Sequence, residues 1–166
     1  MIEQGLQQEI NMVMTEARNR RLEFVTVEHL LLALLNMDEV IAFLRGKRVN
    51  IDELRAELDQ YIDSHTPIIS EDAEIDIVPT VGFQRVLQRS VYQAQSAQKN
   101  SVNAMNVFVS IFSEKESHAV YMLKLNNISR LDVMEGISSH LADNPVEETK
   151  KVEGDKQAKP SSLESF

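Results

Sequence analysis

The sequence predicts an all-α protein built from a duplicated unit, and three observations carry that prediction. Ala, Leu, Glu, Gln, Met, Arg and Lys, which lose little rotamer freedom in a helix, dominate the 166 residues. Five glycines and four prolines are too few breakers for a many-stranded sheet. Apolar residues also recur at helical spacing in two stretches offset by about 77 positions.

The offset runs through whole elements. In the first helix, Leu6, Ile10, Val13, Met14 and Ala17 form one amphipathic stripe, and Phe83, Leu87, Ser90, Val91 and Ala94 repeat it. After a short polar break, the run from Thr26 to Leu35 aligns with the run from Asn103 to Phe112. Thr26 and Asn103 are good N-caps, because each side chain can accept orphan N–H groups of the first turn. The segments behind them are apolar nearly all round, as central buried helices are.

Two more helices close each half. Asp38 is expected to cap a short helix with Val40, Ile41, Phe43 and Leu44, which Gly46 ends. Asn50-Ile51-Asp52-Glu53 resembles a capping box opening a helix through Leu54, Leu58, Tyr61 and Ile62. In the second half, Ala119, Val120, Met122 and Leu123 lie on a helix stopped by Asn126-Asn127. Ser129-Arg130-Leu131-Asp132 then starts another helix with Val133, Ile137 and Leu141. The expectation is four helices per half and eight in all, in repeats of about 1–63 and 80–142. Neither half has much core alone, so the two should pack pseudo-symmetrically into one globular domain, 1–142.

Between the repeats, the acidic connecting loop 64–79 runs on from Asp63. The stretch 63–79 carries Asp63, Glu71, Asp72, Glu74 and Asp76 with no Lys or Arg, and Ile68, Ile69, Ile75 and Ile77 are expected to tack it down. Residues 143–166 turn to Glu, Lys, Asp, Ser and Gln with isolated apolar positions, too few to offset the entropy of ordering. This tail reads as a flexible linker inside a longer parent protein.

Composition then excludes function classes. A formal charge of −9 argues against nucleic acid, whose phosphates need clustered Lys and Arg. No cysteine is present, so there is no disulfide, thiol nucleophile or Cys-based zinc site. No signal-like start and no apolar stretch of membrane length occur, so the chain is expected to be cytoplasmic.

Catalytic motifs are equally absent. The one Gly-Lys pair, Gly46-Lys47, has Ile41 where a phosphate-binding loop needs its first glycine and Arg48 where it needs a hydroxyl. His29, His65, His118 and His140 lack metal-ligand spacing, and His29, at the mouth of a buried helix, reads as a capping or packing residue. With 26 acids some carboxylates must be neighbours by chance, so no dyad is claimed. The chain is expected not to be an enzyme and to hold no cofactor. Two basic clusters, Arg18, Arg20 and Arg21, then Arg45, Lys47 and Arg48, sit at helix C-termini, where cations complement the macrodipole. No aromatics interleave them as nucleic-acid binding would want. The methionines read mostly as core filler.

Residues Glu23-Phe24-Val25-Thr26-Val27-Glu28-His29 through Leu35, and Phe83-Gln84-Arg85-Val86-Leu87-Gln88-Arg89-Ser90-Val91, resemble the double repeat of the Clp ATPase N-terminal domain. Ile111-Phe112-Ser113-Glu114 and Ser129-Arg130-Leu131-Asp132-Val133 resemble its ClpA type more narrowly. The resemblance covers roughly residues 1 to 142, and the tail resembles the linker to the first AAA+ ring. It implies a monomeric docking module on a hexameric, ATP-driven unfoldase that feeds the ClpP peptidase. It also implies the ClpS adaptor as partner, delivering N-degron substrates, with ATP and Mg confined to the absent rings. The alternative within the resemblance is direct binding of unfolded polypeptide without an adaptor.

The adaptor-binding surface implied by the resemblance falls on Glu23, Glu28, Thr80 and Arg85. On that reading Glu28 is exposed beside an apolar wall, ready for a partner's Lys or hydroxyl. Arg85 can fork onto a partner's carboxylate or carbonyl. Plain helix-end electrostatics is the other account of such residues. Glu28→Arg with Arg85→Glu is accordingly expected to abolish ClpS binding without unfolding the domain. Some relatives bind zinc through histidines near the end of the first helix; Arg20 and Leu22 stand there, so no zinc site is expected.

Overall fold

A computed structural model of the chain describes residues 2–70 and 77–143. Glu71, Asp72, Glu74, Ile75, Asp76 and the tail 144–166 lie outside the described residues, as do the side chains of His140 and Leu141. The chain divides into two units, Met1–Val133 and Met134–Phe166. The first holds the repeat architecture.

Eight helices occur among the described residues, in the order the periodicity predicts. They are α1 (Gln4–Asn19), α2 (Val27–Leu34), α3 (Asp38–Gly46), α4 (Ile51–His65), α5 (Val81–Ser96), α6 (Ala104–Ile111), α7 (His118–Leu125) and α8 (Arg130–Asp143). The starts are capped largely as their residues dictate. Asn50 Oδ1 accepts the Glu53 N–H at 3.0 Å, Thr80 Oγ1 the Phe83 N–H at 3.3 Å and Asn103 Oδ1 the Asn106 N–H at 2.9 Å. Asp132 reaches back to the Ser129 N–H at 2.9 Å. That backbone hydrogen bond, then the Ser129 hydroxyl, holds its carboxyl below the usual range. Asp38 departs from expectation: Met37 occupies the cap position and Asp38 is the first helical residue, where its charge still suits the dipole.

The near all-apolar helices are the core. Every residue of α2 except Leu32, and of α6 except Asn106, is buried. Helix α2 packs on α1, α4, α5, α6 and α7. Pseudo-symmetry shows in the pairings: α1 against α2 is mirrored by α5 against α6, and α3 against α6 by α7 against α2. Phe108 of α6 is fully buried and meets the Phe43 ring edge to face at 5.9 Å. Of the methionines, Met105 and Met122 are core, whereas Met12 and Met134 are exposed.

Two features escaped the periodicity. The first is a two-stranded parallel sheet, β1 (Phe24–Val25) with β2 (Val78–Pro79), in which Phe24 pairs with Val78 and Val25 with Pro79. Its pseudo-symmetric counterpart is the parallel bridge Ile2 to Val102. The Thr80 N–H donates to the Val25 carbonyl at 2.9 Å, and the Glu3 N–H to the Val102 carbonyl at 2.9 Å. Each repeat therefore begins by pairing with the middle of the other. Strands this short carry no readable alternation.

The second feature is the helix ends. Arg21, Arg48, Gln98 and Asn127 take φ of 60°, 64°, 60° and 62°, one after each of α1, α3, α5 and α7. In each, the next N–H returns to the last turn: Leu22 to Ala17, Val49 to Leu44, Lys99 to Ala94 and Ile128 to Leu123, at 2.8–3.0 Å. The left-handed residue after α3 is thus Arg48, not Gly46, which stays helical. A side chain in this region costs about 1–2 kcal/mol, part of which glycine's larger unfolded-state entropy offsets. Gln98→Gly, at an exposed site, is therefore expected to stabilise the chain by about 0.5–1 kcal/mol in urea denaturation. A lower urea midpoint would show that Gln98 holds the turn by some contact of its own.

The connecting segment is tied down in part as expected, with Ile75 outside the described residues. Ile77 is buried, Ile69 half-buried and Ile68 70 % exposed. The anchors are polar: the Glu23 N–H donates to the Pro67 carbonyl at 2.8 Å, and Arg21 Nε donates to the Ile69 carbonyl at 3.3 Å. Arg20 pairs with Asp63 of α4. Two members of the first basic cluster therefore hold α4 and the chain after it, beyond any service to the α1 dipole.

Candidate functional site

The β1–β2 seam and the start of α5 bring three of the four predicted site residues to the surface. Glu23 is exposed, immediately before β1, and its carbonyl accepts the Val78 N–H at 3.2 Å. Thr80 follows β2 and caps α5. Arg85 lies one turn into α5 and is exposed. Between them Val78 and Val81 present apolar surface, 47 % and 65 % exposed. No sequence pattern marked these two valines, because a two-residue strand gives no alternation to read.

Glu28 is the correction. The expected exposed carboxylate is only 6 % exposed. Its Oε2 accepts the Ala119 N–H at 2.9 Å in a buried contact across 91 positions. The reason is that α2 is central, so even its first turn is roofed by the N-terminus of α7. Helix α7 carries no acid in its own first turn, and Glu28 supplies one from the other repeat. Nearby, Tyr61 of α4 stacks between His65 at 4.1 Å and His118 at 3.8 Å. Burial, and then the Glu28 charge, raise the Tyr61 hydroxyl pKa.

Arg85 also has a partner within the chain. Its Nε and Nη2 donate to the two Glu114 carboxylate oxygens at 2.9 and 2.6 Å, a bidentate fork. Glu114 sits beyond α6, and its side chain is only 12 % exposed. The Arg85 hydrogen bond holds the Glu114 carboxyl below its usual range, opposed by burial and aided by the charges of Arg85 and Arg89. Helix α5 has no acid in its first turn, and Glu114 comes to it. Gly82 leaves room for this approach: a Cβ there would stand 3.2 Å from Glu114 Oε1 and 3.1 Å from Val27 Cγ2. Sequence reasoning missed Glu114 as part of the site, since 29 positions separate it from Arg85 and no local spacing joins them.

His29 is both cap and core. The Thr26 N–H donates to its Nδ1 at 3.0 Å, completing the reciprocal cap that a Glu or Gln usually makes. With Nδ1 accepting, the neutral ring carries its proton on Nε2, which is buried and lacks a hydrogen-bond partner. Burial, and then the Arg20 charge, push its pKa down to about 4. Arg20, His29, Arg55 and Asp59 line a cavity of about 100 Å³. A protonated Nε2 offers no lone pair to a cation, and among the described residues no cluster of three or more His, Asp or Glu is placed to hold a metal ion. Among the described residues no helix is long and apolar enough to cross a membrane.

Comparison with known proteins agrees with this architecture. The family model "Clp repeat (R) N-terminal domain" matches residues 1–126. A "ClpA homolog protein" of Fuscovulum blasticum is 35 % identical over 141 residues, 84 % of this chain. The chain spans about 18 % of that relative's length. Among solved structures, the Hsp104 N-terminal domain from Candida albicans superposes with a TM-score of 0.70 at 12 % identity, covering 84 % of this chain and 91 % of that one. The N-terminal domain of ClpD from Arabidopsis thaliana gives 0.64 at 18 % identity, covering 85 % and 94 %. A ClpV N-domain in complex with a VipB peptide gives 0.64 at 15 % identity, covering 86 % and 88 %.

Proposed function

This chain belongs to the Clp repeat N-terminal domain family, and from that premise we propose that it is the adaptor- and substrate-docking module of a ClpA-type ATPase subunit. On this reading it receives ClpS, which brings N-degron substrates to a cytoplasmic unfoldase working with ClpP. ATP hydrolysis then belongs to rings outside this sequence. The observation that carries the reading is the seam itself. Glu23, Thr80 and Arg85 lie on the same paired strands and capped helix as two exposed valines, the mixture of apolar and polar surface that a protein-docking patch uses. The relative named a ClpA homologue, and the N-domain fold that takes a VipB peptide in ClpV, support it.

The test is calorimetric titration of the chain with purified ClpS. The wild-type chain should bind. Glu23→Arg, a charge reversal at an exposed side chain, should weaken binding by about tenfold or more, the usual size for a central charged contact, while the circular dichroism melt stays close to the parent's. No heat with the wild-type chain sinks the adaptor reading.

A second reading, direct capture of unfolded polypeptide, is favoured by another surface. Tyr121 and Leu125 project from α7, 55 % and 64 % exposed, beside an open cleft of about 430 Å³ lined by Tyr61 and His118. Saturable binding of an unfolded protein to the chain alone, abolished by Tyr121→Glu, would establish that mode.

A further inference from the structure

The corner where α5 meets Glu114 has an unbalanced charge. Arg85 and Arg89 lie four residues apart on α5, so their side chains are neighbours on one helical face. Both are exposed. Against these two guanidinium groups stands one carboxylate, Glu114, and it is committed to Arg85. Among the described residues Arg89 has no carboxylate within ion-pair distance. Among the described residues two guanidinium charges thus share one carboxylate at this corner, a local excess of positive charge in a chain whose net charge is −9.

The fork geometry adds direction. Glu114 takes the Nε and Nη2 edge of Arg85, which leaves the Nη1 side of the planar group turned away from that carboxylate. Because Glu114 is mostly covered and wedged against Gly82, it acts as a fixed splint. The free edge of Arg85 is therefore pre-oriented rather than mobile, and pre-orientation lowers the entropy a partner must overcome.

We infer that Arg89, together with the Arg85 edge splinted by Glu114, forms a basic docking strip that receives an acidic side chain of the partner protein. This rests on the docking reading above and extends it. The partner's carboxylate bridges the outward N–H groups of Arg85 and Arg89, and Glu114 is a positioning residue. Glu23, whose carbonyl is bonded to Val78 at the seam, adds a negative charge to the same surface, and a patch carrying both signs favours one orientation of a landing partner.

The test compares three chains by titration with purified ClpS at about 50 mM and 1 M salt, where the Debye length falls to ~3 Å. Arg89→Glu should weaken binding about 20-fold or more at low salt, and the difference should shrink to about threefold at high salt. Arg18→Glu, the same charge change on α1, should leave affinity within about twofold of wild type, which separates a local contact from a change in overall charge. A lysine substituted for one acidic residue of ClpS should restore binding to Arg89→Glu. If the wild-type chain binds but Arg89→Glu behaves like Arg18→Glu, the strip is wrong and the docking reading survives. If the wild-type chain does not bind ClpS, both readings fall together.

Discussion

The Glu28→Arg variant is expected to melt on the order of 15 °C below the parent chain, through loss of fold rather than loss of docking. The carboxylate it removes is buried and caps α7 through the Ala119 N–H. The guanidinium it introduces would lie under a helix N-terminus, with four orphan N–H groups and the positive end of the dipole facing it. An uncompensated buried charge of this kind costs about 3–5 kcal/mol, a large fraction of the ~5–15 kcal/mol that holds a typical domain together. Glu28→Gln keeps an acceptor oxygen for Ala119 and should lose only about 1–2 kcal/mol. Thermal melts of the two variants settle the point. A Glu28→Arg chain melting within ~2 °C of its parent would show that α7 needs no cap from α2. The exchange of Glu28→Arg with Arg85→Glu is accordingly a poor probe of binding, since the first change strongly destabilises the domain. Glu23, whose side chain is exposed, is the position at which to separate docking from stability, since Thr80 caps α5 and Arg85 holds Glu114.

Acid sensitivity above pH 5 is expected to come from His29. Its native pKa is about 4, against 6.5 for the unfolded chain. Above pH 6.5 the ring is neutral in both states and contributes no pH dependence. As pH falls, the unfolded chain takes up the proton first, while burial and the Arg20 charge keep the native ring neutral until about pH 4. Stability therefore declines from about pH 6.5 downward and levels off, for this group, near pH 4. The integrated loss is about 3 kcal/mol, of which about 2 kcal/mol has gone by pH 5. The shifted carboxyls of Glu114 and Asp132 act in the same direction but only at lower pH, where their unfolded forms protonate. His29→Gln preserves an acceptor for the Thr26 N–H and removes the titrating ring, so its urea stability should be nearly flat from pH 7 to 5. Parallel curves for the two chains over that interval would transfer the effect to another group.

What the sequence made legible follows the range over which each force acts. The eight helices and their duplication could be read because capping and 3.6-residue periodicity are local, and α2 and α6 declared themselves central by being apolar on every side. Leucine 30 and Phe108 had to be core whatever surrounded them. The polar contacts that shape the candidate site could not be read. Glu28 and Ala119 are 91 positions apart, Arg85 and Glu114 are 29 apart, and nothing within one turn of either acid tells it from a solvated one. Glu28 was misplaced for that reason: its first-turn position on α2 was right, and the helix that covers it came from the other repeat. The left-handed helix ends are a milder case, because Arg21, Arg48 and Gln98 stand where glycine is the usual signal.

The crossed pairing of the leading segments, Ile2 with Val102 and Pro79 with Val25, bears on how such a chain could have arisen. A lone copy of the unit would end in an unanswered backbone edge on each side, a surface that recruits an identical neighbour. Two copies in separate molecules would complete each other by trading those arms, as swapped twofold dimers do. Joining them in one gene turns that trade into a private one, at an effective concentration on the order of millimolar instead of the dilute cell's. It also lets the halves diverge. Position 28 is an acid serving the neighbouring half, while its equivalent at 105 is a buried methionine, an asymmetry forbidden to any assembly of identical chains.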